Sequence, residues 1–297
     1  MASAVEDGTT GCVCLALDAM ATRFELVLDG SNDVDARAAG EEALSEIARL
    51  EEHLSFYRAG SDISWINARA ASEPVKVEPR LFSLLQRCQA LSLATDGAFD
   101  ITVAPLMRAW RFVGDTGAVP APALLAAARA SVGFRHVSLD PALSSIRFER
   151  PGMSIDLGAA AKGYAIDEAV AILRARGITS ALLHGGTSSV HVIGAPSNGV
   201  GWRIGWHPPH AAQAFTLRDA ALSVSAVHGK AFADGGRTYG HVLDPRTGRP
   251  TRTAVSAVVT GPGSLEADAL STALLVLGAG WTSSLRIRFP GYDGDVR

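Results

Sequence analysis

The chain has 297 residues, of which 47% are hydrophobic and 19% charged, enough to bury a large core in one domain or two interleaved lobes. Its 27 Lys and Arg residues against 30 Asp and Glu residues give a net charge of −3. This balance excludes the basic surplus that holds a nucleic-acid backbone, so we expect no nucleic-acid partner. The three cysteines are too few, and odd in number, for a disulfide framework.

No apolar run is long enough to span a membrane. The start of the chain carries neither the basic residues nor the apolar segment of a secretory signal. We therefore expect a cytoplasmic protein without a membrane span, or an exported one if the true start site lies upstream, with a flexible N-terminus over residues 1–11.

Hydrophobic spacing predicts the elements of the first half of the chain. Residues 12–28 alternate apolar and polar side chains around a break at Met20, which is typical of two short strands or a bent hairpin. Three amphipathic segments are predicted to be helices: residues 33–54, the residues from Pro79 onward, and residues 120–130. Two segments between them are predicted to be loops, namely residues 55–67 and residues 95–106.

The second half is predicted to be rich in strands. The predicted strands cover residues 137–139, 145–148, 154–157, 181–183, 190–194 and 201–206, two stretches within 214–227, then 241–243 and 253–260. Two helices are predicted, over residues 159–176 and residues 267–278. Because strands and helices do not alternate in a regular β-α-β rhythm, the chain is predicted to adopt an α+β fold.

The last of these helices places a single acid in an apolar segment. Ala267, Leu270 and Leu274 recur at helical spacing, so one face must be buried. Asp268 and Thr272 are four residues apart and therefore lie one above the other on one face. A carboxylate and a hydroxyl so placed are hard oxygen ligands that suit Mg²⁺. Taken alone, a simpler interpretation is favoured, in which the acid interacts with the helix dipole and the threonine bonds to its own helix.

A second candidate segment, residues 156–167, is predicted to be a strand, a glycine turn and a helix start. Small residues let a ligand approach the backbone, the free amides of a helix start attract phosphate, and Lys162 adds a positive charge. The chain contains no GxxxxGK[ST] sequence, so this segment is not a P-loop. The alternative is a close-packed strand-to-helix turn with a solvated lysine.

Two further turns combine polar groups with glycine. The segment 184–189 follows a buried strand and offers hydroxyl groups, including that of Thr187, and glycines that leave the backbone accessible. A ligand-binding turn and a structural turn hinged on glycine explain this composition equally well. It lacks the GxSxG sequence of a serine-hydrolase elbow. The segment 241–250 brings His241 and Asp244 to a rigid turn, where the alternative is an aspartate that closes its own turn.

Taken in this order, the segments resemble the ApbE family, the FAD:protein FMN transferases. The resemblance extends over residues 20–278 and is carried by six segments: Met20-Ala-Thr-Arg-Phe24, residues 54–67 (LSFYRAGSDISWIN), residues 95–100 (TDGAFD), residues 156–167, residues 239–250 (YGHVLDPRTGRP) and residues 267–278 (ADALSTALLVLG). The last two are long and specific. The chain departs from the common family pattern at Ala21, where a glycine is usual, at Thr187, where an acid is usual, and at residues 224–229.

The resemblance implies a two-lobed α+β fold, with mixed or antiparallel sheets flanked by helices and FAD in the cleft between the lobes, as one domain of residues 12–290. It places Mg²⁺, with Mn²⁺ as an alternative, at Asp268, Thr272 and the backbone carbonyl of Ala161 or of an alanine just before it. Tyr57 would lie at the flavin, where a flat ring can stack. The other FAD-binding positions that we infer on this basis are Met20, Asp100, Lys162, Thr187 and Asp244.

By the same resemblance, the protein would transfer the FMN part of FAD to a Thr or Ser hydroxyl of an acceptor flavoprotein and release AMP. Asp268 would act through the metal, and His241 is the candidate base. The acceptor would carry a D-x-x-[ST]-G-A-[ST]-like motif, and the enzyme would be a monomer or a homodimer. Two alternatives stay open: a Mg²⁺-dependent FAD pyrophosphatase that produces FMN and AMP, and a flavin-binding protein without catalytic activity.

Overall fold

The computed structural model describes residues 11–30, 34–114, 116–208, 212–227 and 229–297, and the structural statements that follow concern these residues. The flexible N-terminus expected over residues 1–11 lies outside them except for Gly11, and so does the predicted helix start at Asp33.

Helices and strands follow one another irregularly along the chain. The helices are α1 (Val34–Leu54), α2 (Asp62–Arg69), α3 (Pro79–Ala94), α4 (Ala104–Ala109), α5 (Pro122–Ala130), α6 (Ala161–Ala175), α7 (Ser264–Leu277) and α8 (Thr282–Arg288). The strands are β1 (Cys12–Ala19), β2 (Thr22–Asp29), β3 (Val75–Lys76), β4 (Val137–Asp140), β5 (Ser145–Phe148), β6 (Ala181–Gly185), β7 (Ser189–Ile193), β8 (Trp202–Trp206), β9 (Gln213–Leu217), β10 (Ala220–Ala226), β11 (Ala231–Asp234), β12 (Arg237–Gly240), β13 (Leu243–Asp244), β14 (Arg249–Pro250), β15 (Ser256–Gly261) and β16 (Asp293–Val296). Short 3-10 turns cover Ile101–Val103, Phe134–His136 and Ala279–Trp281.

A seven-stranded sheet in the order β1-β2-β6-β7-β10-β15-β16 forms the centre of the fold. Each of these neighbouring pairs is antiparallel, and side chains alternate between the two faces. On one face, residues such as Leu183 and Ala221 pack with α1, α6 and α7 in the main core. On the other face, Leu182 and Leu222 pack with Ile204 and the rest of the β8–β9 hairpin. The predicted α+β class with antiparallel sheets is confirmed.

Aromatic side chains hold a smaller group of elements beside the sheet. Phe232 and Tyr239 are cross-strand partners in the β11–β12 hairpin, and their stacked rings have centroids 5.3 Å apart. The ring of Trp110, just after α4, lies 5.5 Å from that of Tyr239. Its indole nitrogen donates a hydrogen bond to the Gly248 carbonyl at 2.8 Å. The hairpin and the turn between β13 and β14 are thereby anchored to α4.

The predicted loop over residues 55–67 is wrong in its second half, because α2 begins within it. The hydroxyl of Ser61 accepts a hydrogen bond from the Ser64 amide at 3.0 Å and caps the helix start. Ile63 and Ile66 are fully buried, so packing stabilises this short helix. The predicted loop over residues 95–106 likewise contains a 3-10 turn and the start of α4.

The predicted strand over residues 154–157 is also wrong. The Ile155 amide donates to the side-chain oxygen of Asn67, and the Asp156 amide donates to the carbonyl of Ile101, each at 2.7 Å. These partners satisfy the backbone without a neighbouring strand. The β11–β12 hairpin and the edge strand β16 were not predicted at all.

Helix α7 carries apolar residues around most of its circumference because it is buried between the sheet and α6. Within the part of the chain that the structure describes, neither α7 nor any other helix has the length and apolar character needed to cross a membrane.

Helices α6 and α7 come into close contact at Gly163. A Cβ atom there would overlap the carbonyl oxygen of Ser264 and would lie 2.9 Å from the Cβ of Asp268. One turn further along α6, Asp167 accepts hydrogen bonds from the amides of Ser264 and Leu265 at 2.7 and 3.0 Å, which caps the start of α7. This crossing therefore sets the position of Asp268 relative to the start of α6.

We expect Gly163→Ala to lower the free energy of unfolding by about 1–3 kcal/mol, because the added methyl group meets backbone that cannot move aside. Denaturant-induced unfolding measures this difference. Gly280→Ala is the matched control, since a Cβ atom at Gly280 meets nothing within 4 Å, and it should change stability by less than about 0.5 kcal/mol. Equal stability of the two variants would show that α6 and α7 can move apart at this contact without a loss of folding free energy.

Candidate functional site

A cleft of about 630 Å³ lies between the central sheet and the elements around α4, within the range of small-molecule sites. Residues 98–112 contribute one wall, and α6, β10 and α7 contribute the other. The structure brings most of the predicted site residues together here, since the lining includes Tyr57, Asp100, Lys162, Thr187, His241, Asp268 and Thr272.

Asp268 lies at the floor of this cleft and is 4% exposed. Its Oδ2 atom accepts a hydrogen bond from the Gly163 amide at 3.2 Å. Its Oδ1 atom accepts hydrogen bonds from the hydroxyls of Ser223 and Ser189 at 3.0 and 3.4 Å. A carboxylate this deeply buried requires such donors, because its desolvation is otherwise costly.

Thr272 lines the same cleft one turn further along α7. Its hydroxyl donates to the carbonyl of Asp268 at 3.3 Å, the back-bonding that the simpler interpretation of the sequence requires. The hydroxyl also lies 3.1 Å from that of Ser225 on β10. Thr272 nevertheless lines the cleft, so back-bonding does not exclude a binding role.

The start of α6 borders the floor of the cleft. Ala161 is the first residue of this 15-residue helix, and Gly158, Ala159 and Lys162 line the cleft around it. The amide of Ala161 donates to the carbonyl of Leu157 at 2.7 Å, which closes the preceding turn. A helix N-terminus with an adjacent lysine attracts a negatively charged group.

The oxygen donors at the floor fit a hard divalent cation. Among the residues that the structure describes, no three His, Cys, Asp or Glu side chains are grouped as a metal cage. A cation here would therefore take one carboxylate together with hydroxyl and carbonyl oxygens. Mg²⁺ suits such a sparse donor set, because it retains waters and substrate phosphates in its coordination shell.

His241 lies on the cleft wall between β12 and β13 and is half-buried. Its amide donates to the Lys230 carbonyl at 2.9 Å, and its Nδ1 atom lies 3.1 Å from the same oxygen. Burial lowers the pKa of His241, and the charges of Lys230 and Lys162 lower it further, against a backbone hydrogen bond that raises it. These effects favour the neutral imidazole.

Asp100 also lines the cleft, but the residue is 7% exposed and its carboxylate is hydrogen-bonded within the protein. Oδ1 accepts from the amide and hydroxyl of Thr102 at 2.8 and 2.7 Å, and Oδ2 accepts from the Phe134 amide at 2.8 Å. Burial raises the pKa of Asp100, whereas these hydrogen bonds lower it. The side chain thus caps the turn Ile101–Val103 and ties it to the turn after α5.

Asp156 is a further acid on the cleft wall. Its Oδ1 atom accepts a hydrogen bond from the Gly158 amide at 2.8 Å and holds the turn that precedes α6. Burial raises the pKa of Asp156, against the effects of that hydrogen bond and of the positive charge on Arg108.

Met20 and Asp244 lie outside the lining of the cleft. Met20 and Ala21 form the β1–β2 turn with φ values of +50° and +56°, a left-handed turn that favours glycine. Asp244 accepts hydrogen bonds from the amide and side chain of Arg246, each at 2.9 Å to Oδ1, and so closes its own turn. For Asp244 the structure matches the alternative interpretation of the sequence.

The aromatic ring of Tyr57 stands at the mouth of the cleft and is 67% exposed. The hydroxyl of Ser55 accepts from the Tyr57 and Arg58 amides at 3.2 Å, which shapes this loop. The ring packs edge-on against Phe56, with centroids 5.3 Å apart. Thr187 likewise lines the cleft and is exposed.

Several residues at the site were missed by sequence reasoning. Ser223 and Ser225 alternate with apolar residues in β10, a signal that both point to one face. Ser225 lines the cleft, whereas Ser223 lies behind its lining. Trp206 and Lys230 line the cleft as well, and nothing in their local sequence predicts this position.

Comparison with known proteins identifies relatives along almost the whole chain. A sequence model of the ApbE family matches residues 20–288. The FAD:protein FMN transferase of Treponema pallidum is 33% identical over 278 residues, which is 87% of this chain and 76% of that protein. The enzyme of the same name from Klebsiella pneumoniae is 34% identical over 266 residues, covering 86% of this chain and 82% of the relative.

Solved structures agree with these sequence matches. The ApbE protein of Thermotoga maritima superposes with a TM-score of 0.87 at 29% identity, covering 96% of this chain and 94% of that one. The flavinyl transferase ApbE of Pseudomonas stutzeri, in its apo form, has a TM-score of 0.83 at 27% identity, with the same coverage.

We expect Lys162→Met to raise the pKa of His241, because it removes a positive charge that disfavours the imidazolium form. NMR titration of ¹⁵N-labelled imidazole, assigned with His241→Gln, measures the midpoint. In the unsubstituted protein this midpoint should lie below the ordinary value of 6.5.

Lys76→Met is the control for this titration, because Lys76 is exposed on β3 and outside the cleft lining. It should leave the midpoint unchanged. An unchanged midpoint in Lys162→Met would contradict the electrostatic contact between the cleft lysine and the histidine.

Proposed function

The chain belongs to the ApbE family, and we propose on this basis that it is an FAD:protein FMN transferase. It moves the FMN part of FAD to a hydroxyl of an acceptor protein and releases AMP. The observation that carries the proposal is the arrangement at the cleft floor, where Asp268 and Thr272 lie beside the start of α6. The proposed flavin-transferase domain of residues 12–290 contains six strands of the central sheet, and the seventh, the edge strand β16, lies just beyond its proposed end.

Mg²⁺, or Mn²⁺ with the same hard oxygen preference, would be held by Asp268, Thr272 and the backbone carbonyl of Ala161. Bound there, the ion would neutralise diphosphate oxygens as charge shifts during phosphoryl transfer. The chain supplies the other half of this electrostatic environment through the positive end of the α6 dipole and the Lys162 ammonium group, both of which favour a bound diphosphate.

His241 is the proposed general base. The role requires the tautomer in which Nδ1 donates its proton to the Lys230 carbonyl, 3.1 Å away, because Nε2 then holds the lone pair that accepts the proton of the attacking hydroxyl. In the other tautomer Nδ1 accepts from the Lys230 amide at 3.3 Å, and Nε2 carries the proton and cannot act as a base. The neutral form of His241 prevails because burial and two nearby lysines lower its pKa. The acceptor oxygen forms a bond to the phosphorus on the flavin side, the diphosphate bridge breaks, and AMP departs.

The walls of the cleft would orient FAD. Tyr57 offers a flat ring at the mouth, and apolar residues of the α4 wall, including Met107 and Phe112, exclude water around a planar ligand. The turns around the site carry the other predicted FAD-binding residues. Thr187 and Asp100 line the cleft, whereas Met20 and Asp244 lie outside its lining. The proposed acceptor is a flavoprotein segment with a D-x-x-[ST]-G-A-[ST]-like sequence.

The proposed activity is tested by mass spectrometry of an acceptor peptide of that sequence after incubation with the protein, FAD and Mg²⁺. We expect a mass gain of one FMN on its Thr or Ser and no adduct with Asp268→Asn, which loses the negative charge of the cation site. Asp140→Asn is the matched control, because Asp140 caps an exposed turn after β4, and it should transfer normally.

Two other outcomes of this experiment would contradict the proposal in different ways. Free FMN and AMP without a peptide adduct would indicate an FAD pyrophosphatase that uses water as the nucleophile. Bound but intact FAD in the presence of Mg²⁺ would indicate a flavin-binding protein without catalytic activity.

We expect His241→Ala to reduce the rate of FMN transfer by about 10²–10⁴-fold, the usual contribution of a positioned base. Transfer by the unsubstituted protein should decline as pH falls through the pKa of His241, because the base must be neutral. Since that pKa is lowered, the decline should begin below the range of an exposed histidine. The variant should lack this acidic limb, and transfer at the normal rate at every pH would exclude His241 as the base.

A further inference from the structure

Two buried serines, Ser189 and Ser223, meet the carboxylate of Asp268 from beneath the cleft floor. Each is 1% exposed. Their hydroxyl oxygens lie 3.4 and 3.0 Å, respectively, from the same carboxylate atom, Oδ1. Neither serine is among the cleft-lining residues that the structure describes, so both contact Asp268 from the side away from a ligand.

Strand register places this pair. Ser189 and Ser223 stand directly opposite each other where antiparallel strands β7 and β10 meet, so their side chains project from the same face of the sheet. That face is covered by α7, which carries Asp268. The two hydroxyls are therefore presented together to one carboxylate oxygen.

The single hydroxyl proton of Ser223 has two acceptors within reach. They are Asp268 Oδ1 at 3.0 Å and the Ser188 carbonyl at 3.1 Å. A charged acceptor forms the stronger bond, so the proton is directed to Asp268. The Ser271 hydroxyl, 3.5 Å away, adds only a weak contact to the oxygen of Ser223.

Together with the Gly163 amide on Oδ2, these serines fix the carboxylate at both of its oxygens. Rotation of the Asp268 side chain would break at least one of these hydrogen bonds. The lone pairs not used by the three donors are the ones available to the cleft.

We propose that Ser223, assisted by Ser189, is a positioning residue that orients Asp268 for a divalent cation and thereby sets the affinity of the site. This inference rests on the cation site of the proposed function. The positioning role differs from a purely structural one, in which the serines would only provide hydrogen bonds to a buried carboxylate. In that case their substitution would change the stability of the protein but not its affinity for the cation. Loss of such an outer hydrogen bond to a metal ligand lowers metal affinity by about 10–100-fold.

Mn²⁺ binding to the full chain without FAD, followed by electron paramagnetic resonance of the free ion, tests the proposal. Ser223→Ala should raise the dissociation constant by about 10-fold or more. Ser223→Thr keeps the hydroxyl and suits a strand, and it should remain within about 3-fold of the unsubstituted protein. Ser189→Ala should have a smaller effect than Ser223→Ala because its hydrogen bond is longer.

Ser145→Ala controls for the loss of a buried serine, since Ser145 is 5% exposed on β5 in a different sheet. It should not change Mn²⁺ affinity. Thermal unfolding without metal, measured on each variant, separates affinity from folding, and only variants that are folded at the assay temperature are compared.

Equal affinity of Ser223→Ala and the unsubstituted protein would overturn the positioning role while leaving the cation site in place. Equal losses in Ser223→Ala and Ser223→Thr would also overturn it, because the hydroxyl would then not be the cause. If Asp268→Asn binds Mn²⁺ as well as the unsubstituted protein does, the cation site itself is refuted, and the inference with it.

Discussion

The close approach of α6 and α7 at Gly163 is the constraint on which the rest of the site depends. Without a side chain at that position, the backbone of α6 reaches the Ser264 carbonyl and donates an amide hydrogen bond to Asp268. The capping of α7 by Asp167 fixes the same pair of helices at a second point. One packing contact therefore places the positive end of α6 next to the carboxylate of Asp268 at the cleft floor.

The cleft combines a polar and an apolar environment, and each is provided by a different part of the fold. Its floor is polar and comes from the sheet, α6 and α7, whereas the α4 wall is largely apolar and rests on the aromatic cluster around Trp110. Burial acts on the ionisable groups in opposite directions: it raises the pKa of Asp100 and Asp156 and lowers that of His241. For the two acids, hydrogen bonds from backbone and side chains oppose this effect. The histidine has one opposing bond and two nearby lysines, so it tends to remain neutral.

The sequence predicted those helices and strands that have a strongly periodic hydrophobic pattern or a local start signal. The alternation of apolar and polar residues predicts the β1–β2 hairpin, and a proline at the helix start predicts α3. An apolar repeat at helical spacing predicts α7. Helix α2 was missed because it is short and depends on the burial of Ile63 and Ile66. The segment 154–157 is extended in sequence pattern but takes its hydrogen bonds from Asn67 and Ile101, which are distant in the chain. The β11–β12 hairpin is held by aromatic contacts with Trp110 that no local rule contains.

The sequence alone determined that Asp268 and Thr272 share a helix face, because four-residue spacing fixes that relation in any α-helix. Its motifs also determined the family, since long segments in a fixed order retain their chemistry. Only the tertiary structure decided which polar residues face the cleft and which do not. It bonded the carboxylate of Asp100 to the Phe134 amide, and it brought Ser189 and Ser223 to Asp268 through strand register. These contacts join residues that are far apart in the chain, and a helical or strand period carries no information about them.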